Sequence, residues 1–193
     1  MGMRWEALLE RLPTDRFVVG VEVGVWQGRM SCALLRALPN LTLYMVDTWS
    51  PAAKGSEYRA SGDKCANATP RDMVQALTTA IAGTQFAAER RRVWCMDSHT
   101  ASLWFALAGS EPDFVFIDAN HTRAAVMHDV EAWGGVVADG GLLCGHDYHS
   151  PRWGSEVDPA VDGYAAKYGY TVEAGEDHTW FIRKRVKRWR KRS

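Results

Sequence analysis

Five short apolar runs, with a helical pattern between most neighbours, constrain this chain more than any other feature. They are VVGVEV (18–23), LTLYMV (41–46), RRVWCM (91–96), DFVFI (113–117) and GLLC (141–144). Their β-branched and aromatic content reads as buried strands. The stretches 30–38, 70–82, 100–108 and 124–133 read as helices. Pro39-Asn40 stops the first, and Thr69-Pro70 opens the second with a cap and an N1 proline. This alternation predicts parallel strands covered by helices on both faces. A further helix over 159–168 precedes GYTVEAGEDHTWFIRK, which reads as a terminal antiparallel hairpin and brings the strands to seven. Residues 50–69 are small, polar and glycine-bearing, the composition of a long loop or lid.

The 193 residues suit one domain over 1–182, followed by a basic tail at 183–193. Eight of the last eleven residues are Lys or Arg. Taking 8 from 23 leaves 15 basic against 23 acidic side chains in the body. The tail reads either as a contact for nucleic acid or another acidic partner, with Trp189 available to stack, or as a solvated charge block. No apolar run approaches the roughly 20 residues of a bilayer span. MGMRWEALLERL is amphipathic rather than signal-like. Cys32, Cys65, Cys95 and Cys144 form no CxxC pair, which argues against a zinc knuckle and accords with a cytoplasmic location. Homodimerisation stays open.

In parallel sheets of this type ligands bind beyond the carboxyl ends of the strands. Each of the five strand ends carries an acid: Glu22, Asp47, Asp97, Asp118 and Asp147. The first turn, VEVGVWQG, has Gly24 and Gly28 without the GxGxxG spacing of a pyrophosphate site. An acidic edge suits hydroxyls, amino groups and cations, and repels phosphate unless a cation intervenes. A ribose-bearing, phosphate-free, cationic cofactor fits it, and S-adenosylmethionine is such a molecule. Asp47, 23 positions past Gly24, stands near the spacing at which an acid takes ribose hydroxyls.

The ordered set resembles the class I S-adenosylmethionine-dependent methyltransferases. That resemblance implies an α/β, Rossmann-like doubly wound, mostly parallel seven-stranded sheet ending in an antiparallel hairpin. VEVGVWQG resembles the first motif, implying Glu22, Gly24 and Gly28 around the methionine moiety. YMVDTW resembles the second, implying Asp47 on the ribose with Thr48 and Trp49 beside it. CMDSH resembles the region where Asp97 and Ser98 meet the adenine. DFVFIDANH with GGLLCGHDY is similar to the magnesium-dependent small-molecule O-methyltransferases of the catechol and macrolide-sugar types. This implies a divalent metal, Mg or Mn, on Asp118, His146 and Asp147, with Asp118 also bordering the cofactor. His121 falls where that group places a general base.

Methyl transfer is an in-line displacement on an already activated carbon, so the protein must chiefly align a nucleophile and take its proton. A histidine titrating near neutrality does the latter. Imidazole departs from the oxygen donors magnesium prefers and suits Mn²⁺, Fe²⁺ or Zn²⁺ better. Three arrangements therefore stay open: His146 as ligand, His146 orienting a carboxylate or touching the acceptor, or no metal and His121 or His146 acting alone. His121 also reads as a cap for the helix starting near Thr122. Trp26, Trp49 and Trp153 are expected to wall a pocket, and Trp94, Trp104 and Trp133 to lie in the core. His149 is left between acceptor contact and plain exposure. Tyr58, Arg59 and Lys64 are lid candidates. The acceptor is expected to be a small molecule bearing a hydroxyl, with a macromolecular acceptor recruited by the tail as the alternative.

Overall fold

The computed structural model describes residues 3–186. Its strands are β1 Val18–Val23, β2 Leu41–Asp47, β3 Arg91–Cys95, β4 Phe114–Ile117, β5 Leu142–Gly145, β6 Glu173–Ala174 and β7 Trp180–Arg183. They form one sheet in the order β3-β2-β1-β4-β5-β7-β6. β1 to β5 are parallel, and β7 runs antiparallel between β5 and β6. The doubly wound sheet and the terminal hairpin are as the sequence implied. Strand order reverses between β1 and β4, the crevice where such folds bind ligands.

Strand alternation splits the core in two. Leu41, Leu43, Met45, Phe114 and Phe116 pack under α1 (Arg4–Leu9), α2 (Arg29–Ala37) and α4 (Pro70–Gly83). Val46, Val115, Ile117 and Leu143 face α5 (Ser98–Ala108), α6 (Arg123–Val136) and α7 (Gly154–Tyr168). Successive strand side chains point to opposite faces, so a fully covered sheet requires apolar residues at nearly every position. Local chemistry fixes the helix ends. Thr69 N–H donates to Asp72 Oδ2 at 2.9 Å, and Asp72 N–H donates back to Thr69 Oγ1 at 3.2 Å, a reciprocal capping box. Arg90 donates to the carbonyls of Leu35, Leu38 and Leu41, tying the end of α2 to the start of β2.

Three sequence expectations change. α7 begins at Gly154 rather than at Pro159, which lies inside it. The lost proline N–H is tolerated because Val157, Ala160, Val161 and Tyr164 bury one face of the helix. Trp104 is 57% exposed rather than core, since α5 buries Ala101, Ser102 and Phe105 on its other side. The 50–69 segment holds a short helix, α3 (Glu57–Ala60), and folds on itself: Asn67 donates to the carbonyls of Arg59 and Asp63. Among the described residues no helix is long and apolar enough to cross a membrane. Of the basic tail, residues 187–193 lie outside the described residues.

Candidate active site

Register aligns the strand ends. Val23 pairs with Val46 and with Ile117, Asp47 with Cys95, and Ile117 with Gly145. Gly24, Asp47, Met96, Asp118 and His146 therefore follow or close their strands along one edge. A cleft of about 1000 Å³ opens there, bordered by the first turn, the 50–69 segment and the starts of α5 and α6. Gly24 has φ 89°, and a Cβ on it would collide with the Asp118 carbonyl, so only glycine lets the two turns meet.

Glu22 is buried, and the Ser31 hydroxyl donates to it. Burial raises its carboxyl to about 8, the Ser31 bond pulls it down, and Asp118 and Asp47 push it further up. Asp47 accepts from the backbone N–H of Trp26 at 2.9 Å and of Trp49 at 2.8 Å. Both tryptophans have positive φ, 50° and 41°, so this carboxylate pins two strained turns beside the cleft. Burial raises the Asp47 carboxyl, against several backbone hydrogen bonds.

Thr48 and Trp26 line the cleft, as expected. Trp49 does not: it packs into the core and donates its indole N–H to the Trp26 carbonyl. Asp97 lies at the cleft but is engaged as the α5 N-cap, accepting from Thr100 N–H at 2.9 Å and from Thr100 Oγ1 at 2.7 Å. Ser98 lines the cleft and accepts the Trp133 indole N–H at 2.8 Å.

The other end of the cleft is an interlocked set of acids and histidines. His121 Nε2 lies 2.9 Å from Asp147 Oδ2 and 3.5 Å from Asp118 Oδ1, while Nδ1 lies 2.9 Å from Asp63 Oδ2. Burial disfavours the charged ring, but hydrogen bonds to Asp118, Asp147 and Asp63 outweigh it and raise His121 to about 11. Its ring stacks on Trp153 with centroids 5.0 Å apart. Thr122, not His121, is the N-cap of α6. Asp147 has φ 65°. Burial opposes its charge, yet bonds from His121 and His146 hold its carboxyl well below the usual range. His146 Nδ1 is 3.1 Å from Asp147 Oδ2 and 3.8 Å from Asp118 Oδ1, and its buried Nε2 has no hydrogen-bond partner.

Asp118, His121 and Asp147 each bring a ligand atom within 4.8 Å of the others, a grouping suited to a metal ion. In this grouping His121 stands where the sequence suggested His146. His149, set between acceptor contact and plain exposure by the sequence, pairs with Asp158 at 2.7 Å and has a side chain 62% exposed. Tyr58 borders the cleft, whereas Arg59 donates to the Ala52 carbonyl and Lys64 is exposed.

Four participants carry no motif. Asp63 reaches His121 from the 50–69 segment. Arg4 pairs with Asp118 and donates its backbone N–H to Asp177 at 3.0 Å. Asp177, in the β6–β7 turn, also lies 4.0 Å from His146 Nε2. Asp129 is buried on α6 and borders the cleft. Only Asp129 leaves a trace in the sequence, a charge on the stripe formed by Val126, Val130 and Trp133.

A family model described as a methyltransferase domain matches residues 21–148. No curated protein matches in sequence. Among solved structures, a calicheamicin methyltransferase aligns with a TM-score of 0.68 at 16% identity, covering 93% of this chain and 76% of the other. The O-methyltransferase NovP aligns at 0.57 and 16%, covering 94% and 76%. An rRNA methylase from Streptococcus thermophilus aligns at 0.58 and 12%, covering 95% and 94%. With the family model spanning both the Gly24 turn and the Asp118–Asp147 cluster, the chain belongs to the methyltransferase-domain family of class I S-adenosylmethionine-dependent enzymes.

Proposed function

We propose that this protein transfers a methyl group from S-adenosylmethionine to a hydroxyl of a small molecule. The observation that carries the reading is a continuous cleft joining the Gly24 turn and Asp47 to Asp118 and His121. The cofactor supplies a methyl activated on a sulfonium. The acids along the cleft, Asp47 among them, suit its cationic groups and ribose hydroxyls. The 50–69 segment overhangs the cleft through Ser56, Tyr58 and Cys65, where it would shield the reacting groups from water. O-methyltransferases among the fold neighbours accord with a hydroxyl acceptor.

The donor set fits a divalent cation. Asp118 and Asp147 would hold it through oxygen, and imidazole beside them favours Mn²⁺ or Fe²⁺ over Mg²⁺. Such an ion supplies Lewis acidity toward an acceptor hydroxyl. His121 is the proton acceptor in this reading, oriented by Asp63 through Nδ1 so that Nε2 turns toward Asp147 and Asp118. Compensating charge on Asp118 and Asp147 would bring its raised pKa back toward the range useful for a base.

The grouping with Asp118 and Asp147 favours a second role for His121, as the third ligand, with Asp63 holding it from behind as a carboxylate commonly does for a metal-bound histidine. Methyl-transfer assays on a panel of small hydroxyl acceptors, with and without EDTA, test the main reading. Turnover that EDTA leaves untouched removes the metal, and methylation at carbon or nitrogen alone removes the hydroxyl. His121→Ala separates the two roles. A base variant loses turnover and keeps its Mn²⁺ affinity; a ligand variant loses affinity as well.

The alternative is a macromolecular acceptor recruited by the basic segment from 183 onward, and an rRNA methylase among the neighbours accords with it. β7 ends at Arg183, which pairs with Leu142, and Lys184 exchanges backbone hydrogen bonds with Gly140 and Gly141, so a truncation that spares the sheet must begin after Lys184. Retained turnover on small acceptors with lost RNA binding would separate the tail from the chemistry.

A further inference from the structure

The cleft continues past Asp47 into a chamber between the starts of α5 and α6. Met96, Ser98 and His99 line it from one side, and Ala125, His128 and Asp129 from the other. The α6 residues stand at i, i+3 and i+4, so one face of that helix addresses the chamber. The His99 and His128 rings lie 4.6 Å apart at the rim, tilted by 42°, and offer flat surfaces to a planar ligand.

Two acids stand at this end, in different states. Asp97 is exposed, and both its oxygens are taken up by Thr100. Asp129 is 6% exposed, and the Ser98 hydroxyl bonds to it. That hydroxyl accepts the Trp133 indole proton, which leaves its own proton for the carboxylate. A buried carboxylate with so little hydrogen bonding is costly unless a ligand adds a donor. Burial raises its carboxyl to about 6, against the Ser98 bond and His128.

We propose that Asp129 is the residue that selects adenine, accepting a hydrogen bond from its 6-amino group. The inference rests on the S-adenosylmethionine reading and deepens it by naming the base-reading side chain. An ionised carboxylate only accepts, so it favours a base with an amino group at that edge. A 6-oxo purine puts an acceptor oxygen against the carboxylate and is rejected. Asp97, the acid the motif suggested, has the lesser part of holding α5 in place.

Calorimetric titration at pH 8 with S-adenosylhomocysteine and with its 6-oxo counterpart, S-inosylhomocysteine, tests this. The wild-type protein should prefer the adenine ligand by about tenfold or more, the discrimination typical of one hydrogen bond to a charged group. Asp129→Asn, whose amide can donate to a 6-oxo group, should collapse that preference. Asp97→Ala should preserve it. A wild-type ratio near one overturns the proposal, as does an Asp129→Asn variant that weakens both ligands equally, the mark of a purely structural role. Collapse in Asp97→Ala instead would also overturn it. If Asp129→Asn fails to fold, the wild-type ratio and Asp97→Ala decide. Absence of any S-adenosylhomocysteine binding to the wild type is a different result and defeats the cofactor reading itself.

Discussion

Glu22→Gln isolates the electrostatic cost of the cofactor turn. Glu22 is 3% exposed in β1 and rises from 4.5 to about 8, chiefly because burial strips water from its charged form. A group raised on folding binds its proton more tightly in the native state. Its stabilising contribution is thus complete below pH 4.5 and is lost as pH climbs through about 8. At about 1.36 kcal/mol per unit, the whole window is on the order of 5 kcal/mol, of which about 4 falls between pH 5 and pH 8.5. Glutamine keeps an acceptor for Ser31 and cannot ionise. Urea unfolding of ligand-free wild type and variant at both pH values measures the difference directly. The wild type should lose about 4 kcal/mol relative to the variant over that range. Parallel pH profiles, within about 1 kcal/mol, would refute a buried carboxyl that ionises late.

Further perturbations probe the rest of the cleft and core. Asp47→Ala removes the acceptor for Trp26 and Trp49 and for the ribose, and should weaken S-adenosylhomocysteine by about tenfold or more in calorimetry. Equal affinity would contradict the assignment. Asp63→Asn leaves His121 without its rear carboxylate, so turnover should fall about 10- to 100-fold, and an unchanged kcat would detach Asp63 from the chemistry. Trp133→Ala should cost about 3–5 kcal/mol in urea unfolding, because that side chain is fully enclosed. Trp104→Ala should stay within about 0.5 kcal/mol, as suits an exposed side chain.

What the sequence discloses follows the range of the interactions. Covered parallel strands need apolar residues on both faces, so β1 to β5 stand out as continuous runs, and their C-terminal residues announce the site edge. Gly24, Asp47, Asp118 and Asp147 were legible for that reason, each following or closing a strand. Asp63 was not, because it meets His121 across 58 positions from a segment without periodicity. Arg4 meets Asp118 across 114 positions and Asp177 across 173. No local pattern records contacts of that kind. Asp97, named by its motif, does line the cleft. Its motif position suggested a ligand contact, and the side chain also satisfies the first turn of its own helix. Trp104 and Trp49 erred in opposite directions, since residue type alone does not say which face of an element turns inward.

What occupies the edge between Asp47 and Asp147 decides the chemistry of this protein. The most direct measurement is diffraction from crystals soaked with S-adenosylhomocysteine and Mn²⁺, collected for anomalous signal. The nucleoside hydroxyls should lie on Asp47, and one anomalous peak should stand beside Asp118 and Asp147. Cofactor density outside the Gly24–Asp47 cleft, or a fully bound cofactor with no metal peak beside those carboxylates, would contradict this arrangement.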